Sequence, residues 1–429
     1  MRIYFLPILL LFAVLFLPGV TWAEEALTLD RCIELALANN HLFKSYRQEL
    51  RASRARVRQA KALPQPELSY DSDLQPGLFD FNGSGESYVG ISQLIEFPGH
   101  RYLRGKIAGK EHEMVGCDVD LARLELIYDV KQSFFGLLLA RETQNHAQEN
   151  LKMAQDFLDK AKEKYESGEV AKIEVLRARV EAAKADNRLK AAANTTQLAK
   201  ARLNFFLARE RFRPIEIRGN LRGPFHNLEL KELQARALSF RPEVKKERLA
   251  FKKESLAKKQ ALLSYLPDVS VGVSRHRIDN EPTTWDVTLG FEVPLFFWQK
   301  AGGEIAEANA NMAAAGERLK YIEMSVSLEV ENAYFNVVSL QNQMDLFEKD
   351  ILEEAEQVYR MSMISYKEGK IGSIELIEAR RSLVEVKQAY AETLFNHRLA
   401  AAELEKFLGT SITQPADDQS NLQEGENKK

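Results

Sequence analysis

Two long spans of this 429-residue chain contain no proline, one between Pro98 and Pro214 and one between Pro294 and Pro415. A proline in a helix interior costs about 3 kcal/mol, so both spans suit very long helices. Their apolar positions agree. From Met312 onward, apolar or alanine residues recur at 315, 319, 322, 326, 330, 333, 337, 340, 344, 347, 351, 355 and 358. Alternating threes and fours make a coiled-coil seam. The first span shows the same habit through Leu121, Leu124, Ile127, Tyr128, Phe134, Phe135 and Leu138. The spacing predicts a helix from about Gly302 to Tyr366, on the order of 100 Å long, and a shorter arm from Ile371 to Leu408. Gly168 and Gly369 read as the turns between arms, because glycine accepts the left-handed conformation that ends a helix.

Elsewhere the period falls to two. "PELSYDSDLQP" (66–76), "YVGISQLIEFP" (88–98), "PDVSVGVSRHR" (267–277) and "TWDVTLGFEVP" (284–294) alternate apolar and polar residues, as strands do. In the last of them Trp285, Val287, Leu289, Phe291 and Val293 share one face, and Asp286, Thr288, Gly290 and Glu292 the other. Such a face can pack on a helix or meet lipid, and alternation alone allows both. The neighbouring helices carry their own seams, however, and strands of about 9–11 residues match a tilted bilayer crossing. The lipid reading places Phe97, Tyr102, Phe296, Phe297 and Trp298 at the water interface, where aromatic girdles sit. Open sheet edges cannot lie in hydrocarbon, and closed membrane barrels start at about eight strands. One chain offers four, so copies must associate.

The chain is doubled. "KYESGEVAKIEVLRARV" (164–180) returns 201 residues later as "SYKEGKIGSIELIEARR" (365–381), pairing Tyr165 with Tyr366, Gly168 with Gly369, Glu174 with Glu375 and Arg179 with Arg380. Leu27 to Leu68 pairs with Leu228 to Val269 at the same offset. Each copy reads helix, strand, strand, long helix, shorter helix. The expected organisation is a first repeat over 24–207, a linker over 208–227, a second repeat over 228–408 and a disordered polar tail over 409–429. Residues 1–23 read as a secretory signal peptide: Arg2 precedes an apolar run, and Thr21 and Ala23 suit the cleavage site.

Composition narrows the function. The chain is 45% hydrophobic and 28% charged with a net charge of −3, so no basic surplus is available to neutralise nucleic acid. Cys32 and Cys117 face an oxidising compartment after export; they either pair or stand as isolated small apolar residues, and two cysteines alone build no metal framework. None of the seven histidines forms a His-x3-His pair. "GSGES" (83–87) lacks the Lys-Ser/Thr that a phosphate loop needs and reads as an extracellular loop. Nothing supports an enzyme, a metal site or a cofactor.

The doubled "Y-x-x-G-x-[VI]-x-x-I-E" turn, the opening "LTLDRCIELALANNHLF" and its echo "LELKELQARALSFRPEV" resemble the outer membrane efflux protein family, the TolC-like channels. "ISQLIEFPGHR" (91–101) and "VPLFFWQKAGGEI" (293–305) are similar to strand-to-helix passages of its cation-efflux, CzcC-like branch. The resemblance spans residues 27–408. It implies a mainly α fold with a small β part: long coiled-coil helices forming a periplasmic α-barrel, and a transmembrane β-barrel of four strands per chain, twelve in a homotrimer. The implied function is the outer-membrane exit duct of a tripartite efflux pump, possible cargo including heavy-metal cations. The implied partners are a periplasmic adaptor docking at the Gly168 and Gly369 turns, an inner-membrane pump of the resistance–nodulation–division (RND) type, and outer-membrane lipid. By position, Glu375 and Glu378 match the family's acidic pair at the periplasmic gate, Glu174 an acid in the first copy, and Tyr366 a gate tyrosine. The family's gate arginine is matched by Ile371, with Lys370 beside it. The rival readings are a channel of type I protein secretion, a periplasmic adaptor and a structural coiled coil.

Overall fold

The computed structural model describes residues 26–73, 85–223, 229–278, 280–292 and 300–410. The expected signal peptide, the tail beyond Thr410, and Phe296, Phe297 and Trp298 lie outside them. The first half runs α1 (Leu29–Asn39), α2 (His41–Ala60), β1 (Glu67–Asp73), β2 (Glu86–Ile95), α3 (His100–Glu166) and α4 (Lys172–Phe206). The second half repeats the order as α5 (Leu230–Phe240), α6 (Pro242–Leu263), β3 (Asp268–Ile278), β4 (Thr284–Glu292), α7 (Lys300–Leu346), a π turn (Phe347–Ile351), α8 (Leu352–Lys367) and α9 (Ser373–Leu408). At 67 residues, α3 is about 100 Å long.

Two expectations need correction. The single opening helix of each copy is two helices. Asn40 interrupts the first: its side chain accepts a hydrogen bond from the Phe43 amide at 3.1 Å and donates one to the Phe206 carbonyl at 3.2 Å. Capping of this kind starts a new helix. At the equivalent place Arg241 precedes Pro242, the first residue of α6. Proline drives the residue before it out of the helical region yet suits the first helical position itself.

The second correction concerns the long seam. The helix predicted over 302–366 is α7 and α8 joined by the π turn. A π turn holds more residues than an α turn, so the buried face slips. Val358, on the predicted seam, is 53% exposed, while Tyr359, Met363 and Tyr366 turn inward. Glu348, inside the π turn, accepts from the Tyr390 hydroxyl at 2.6 Å. Burial and that carboxylate push the Tyr390 phenol up to about 12.

Two large core clusters each gather mainly one half, and Tyr390 and Leu394 of α9 join the first. In the first, Cys32, Val130, Phe134, Leu137 and Leu203 bring α1, α3 and α4 together. In the second, Leu233, Val330, Val337, Leu404 and Leu408 do the same for α5, α7 and α9. Cys32 and Cys117 are both buried and both free. Burial pushes the Cys32 thiol up to about 11, which keeps it an inert apolar residue.

The four strands form one antiparallel sheet in the order β1-β2-β3-β4. The halves meet at its centre, where β2 pairs with β3 from Glu86↔Ile278 to Ile95↔Val269. This leaves β1 and β4 as edges. Arg104, at the start of α3, fastens the sheet to the helices: it grips Glu96 at 2.5 and 3.0 Å and donates to the Ala60 carbonyl at 2.8 Å.

Candidate functional site

The sheet separates two chemistries. One face carries Leu68 and Tyr70 from β1, Val89 and Ile91 from β2, Val273 from β3, and Trp285, Val287, Leu289 and Phe291 from β4; all are exposed, Leu68 by 78% and Val287 by 76%. The register aligns them: Leu68 faces Ile91, Ile91 faces Val273, and Val273 faces Val287. So wide an apolar surface is not left to water in a soluble monomer. The other face is polar and crowded. A Cβ on Gly290 would lie 2.4 Å from Ser270 Oγ, and one on Gly90 would lie 3.0 Å from Ser69 Oγ. Small residues face each other where side chains converge, as they do inside a small barrel. At its far end the polar face holds Tyr88 stacked on His276 at 4.1 Å, with His276 Nε2 2.6 Å from Glu86 Oε1. Among the described residues no helix is long and apolar enough to cross a membrane.

Phe97 and Tyr102 flank the passage from β2 into α3. Phe97 is half-buried, and its amide donates to Asp268 Oδ1 at 2.7 Å. Tyr102 is 65% exposed in the first turn of α3.

The opposite end of the helices is built from two matching turns. Gly168 (φ 79°) and Gly369 (φ 75°) both sit in the left-handed region. In the first turn Glu169 N–H donates to the Lys164 carbonyl at 2.8 Å and Gly168 N–H to the Tyr165 carbonyl at 3.1 Å. In the second, Lys370 N–H donates to the Ser365 carbonyl at 2.9 Å and Gly369 N–H to the Tyr366 carbonyl at 3.1 Å. These paired bonds define a Schellman motif, which needs the left-handed residue.

Behind the turns Phe157, Ala161, Ala178, Tyr366 and Leu376 make a small core shared by both halves. Tyr366 is 3% exposed, edge-on to Phe157 at 5.4 Å and beneath Lys164 Nζ at 5.7 Å. Burial, then the charge of Glu174, raises its phenol above the ordinary value. Glu174 pairs with Arg177 at 3.1 Å, while its Oε2 is buried without a hydrogen bond. Glu375 and Glu378 are exposed on α9, and Glu378 pairs with Arg381 at 3.1 Å. The structure thus brings Glu174 and Tyr366 together and leaves Glu375 and Glu378 on the surface.

Sequence reasoning missed Arg380. It is 6% exposed, donating to Asn150 Oδ1 at 2.9 Å and Glu181 Oε2 at 2.5 Å. This one side chain ties α9 to both α3 and α4. Its repeat partner, Arg179, is exposed. The available signal was a charged residue set among Leu376, Ala379 and Leu383 on the buried stripe of α9.

Comparison with known proteins agrees with this anatomy. The family model described as outer membrane efflux protein matches residues 32–209 and again 233–410, 201 residues apart at both ends. The chain is 24% identical over 404 residues to the cobalt-zinc-cadmium resistance protein CzcC of Cupriavidus metallidurans, covering 90% of this chain and 91% of that one. Its fold matches the CmeC outer membrane channel of Campylobacter jejuni with a TM-score of 0.77 at 16% identity, covering 95% and 93% of the two chains. It also matches the open MtrE outer membrane channel of Neisseria gonorrhoeae with a TM-score of 0.74 at 19% identity, covering 90% and 91%. A fold of long helices on a small antiparallel sheet, laid out twice and matched twice by one family model, makes this chain a member of the outer membrane efflux protein family.

Proposed function

We propose that the protein is the outer-membrane exit duct of a tripartite efflux pump, conducting its cargo passively from periplasm to exterior. One observation carries this reading: a four-stranded sheet with an exposed apolar face and two open edges. In lipid each unpaired edge group costs several kcal/mol, so β1 of one copy must pair with β4 of the next. Three copies give twelve strands in a homotrimer. The helices support the same association. Tyr321, Met324, Leu328 and Phe335 form an exposed apolar stripe on α7, and Ile173, Leu176 and Val180 form another on α4. Such stripes are the seams by which helices of neighbouring copies pack into a hollow tube.

The tube's far rim is the pair of glycine turns, about 100 Å from the sheet by the rise of α3. These turns present the surface for a periplasmic adaptor, which couples the duct to an inner-membrane pump of the RND type. The resistance named for the Cupriavidus relative favours divalent metal cations as cargo. Glu375 and Glu378, repeated around a threefold axis just inside the rim, supply the matching negative charge, with Glu174 and Tyr366 behind them as part of the gate.

The test is conductance. Purified protein in planar bilayers should form channels, and native mass spectrometry should find three copies. Glu375→Gln with Glu378→Gln should lower cation-over-anion selectivity severalfold. Unchanged selectivity would remove the acidic ring from the reading. A water-soluble monomer forming no channels would remove the duct itself.

A further inference from the structure

The apolar sheet face ends abruptly at one side. Along β3 its outward residues are Val269, Val271 and Val273, and then Arg275 and Arg277. Arg275 lies in register with Val89 on one side and Trp285 on the other, and Val89 in turn faces Tyr70. One row further, Arg277 faces Ser87, and Ser87 faces Ser72. The order across the face is therefore an apolar band, a row of Tyr70, Val89, Arg275 and Trp285, and a polar row containing the second arginine. Both arginines are exposed. Among the described residues, Asp71, Asp73, Glu86 and Asp286 alternate onto the opposite, polar face, while Glu281 follows in the turn beyond β3.

Position fixes which side of the membrane this is. The helices join the strands at the other end: α3 follows Ile95, and α6 precedes Asp268. The arginines sit at the end remote from the helices. An arginine facing lipid costs about 2–4 kcal/mol at the midplane but only about 0–1 near the interface. Arg275 therefore marks the level where hydrocarbon gives way to headgroups, and Trp285 beside it and Tyr70 two strands away in the same row are the aromatic residues expected there. Guanidinium is a planar fork of donors suited to phosphate, and it binds more strongly where water is scarce.

Resting on the membrane reading above, we propose that Arg275 and Arg277 form a docking surface for the phosphate-bearing headgroup of an outer-leaflet lipid. The aromatic pair and the valines below them hold its acyl chains, and the two guanidinium groups hold its phosphates.

The full-length chain is reconstituted into phosphatidylcholine vesicles doped with diphosphorylated lipid A, or with the same lipid stripped of phosphate. Flotation reports insertion, and the lipid A carried through detergent extraction is counted. The unaltered protein should retain the phosphorylated form and not the stripped one. Each basic residue near an anionic lipid surface contributes about 1 kcal/mol, so Arg275→Gln should lower retention about fivefold and the double variant with Arg277→Gln about twenty-fivefold. Arg275→Lys should lose less, because it keeps the charge. Equal retention by the unaltered and doubly substituted proteins, or equal retention of both lipids, overturns the proposal. So does full displacement by equimolar inorganic phosphate, which would mark a free-ion site. A chain that floats but shows no preference sinks this inference alone. A chain that never floats sinks the membrane reading with it.

Discussion

Ala208 and Gly409 occupy equivalent places, 201 residues apart, and solve one problem unequally. Each ends the last helix of its half in the left-handed region, with φ of 52° and 72°. The bond pattern around Ala208 is that of the glycine turns: Arg209 N–H to the Asn204 carbonyl at 2.9 Å and Ala208 N–H to the Phe205 carbonyl at 3.1 Å. A side chain there costs about 1 kcal/mol. Ala208→Gly should therefore raise unfolding free energy by about 0.5–1 kcal/mol in urea titrations. Gly409→Ala should lower it by more than about 2 kcal/mol, because the new Cβ would also lie 3.1 Å from the Phe240 carbonyl oxygen and 3.2 Å from Arg241 Cα. His397 is a second residue-scale case. It is 3% exposed, and burial, then the neighbouring Arg398, lowers its pKa below the ordinary imidazole value. The unfolded chain thus binds the proton first as pH falls. Stability is intact above the unfolded pKa and declines as pH drops from about 6.5 through the lower folded value. Urea midpoints measured from pH 7.5 downward should show this decline, and His397→Gln should flatten it.

At the scale of elements, the tip depends on few contacts. Phe157 is 1% exposed and supports Tyr366 edge-on, with Ala161, Ala178 and Leu376 completing the cluster. Phe157→Ala should cost about 3–5 kcal/mol. Its effect should be local: hydrogen exchange should quicken around residues 160–180 and 360–376 while the α1–α3 core keeps its protection. Uniform loss across the molecule would show that the tip is not a separate cooperative unit. The turns themselves were legible in the sequence, because a left-handed residue after a long seam is a local demand that glycine meets. The slip of the buried face at Phe347–Ile351 was not. A seam counted in threes and fours assumes α geometry throughout, and nothing in "FEKDI" announces a wider turn. What holds Glu348 there is Tyr390, 42 residues away.

At the scale of the whole molecule, the two faces of the sheet should respond differently to the same substitution. Val287 and Thr288 are neighbours on β4, yet Val287 points to the apolar face and Thr288 to the polar one. Val287→Arg should cost about 2–4 kcal/mol per copy if that face meets lipid. Flotation of vesicles should then recover much less inserted protein. Thr288→Arg should insert normally and shift channel selectivity toward anions. Equal insertion by both variants would mean that neither face meets lipid.

Local chemistry wrote much of this protein into its sequence. Proline-free seams give the long helices, period-two runs give the strands, glycine gives the turns, and an offset of 201 gives the doubling. Each of these is read from the order of residues along the chain, with no contact between distant ones, so each survives without a structure. Tertiary packing decided the rest. Arg179 and Arg380 stand in the same repeated phrase, yet one is exposed and the other is buried against Asn150 and Glu181. Asn40 and Arg241 stand at equivalent helix breaks, yet Asn40 donates to the Phe206 carbonyl at 3.2 Å while the Arg241 guanidinium rests on the Phe407 ring at 5.2 Å. Two copies with the same local pattern have different neighbours, and burial, charge and register are set by the neighbour.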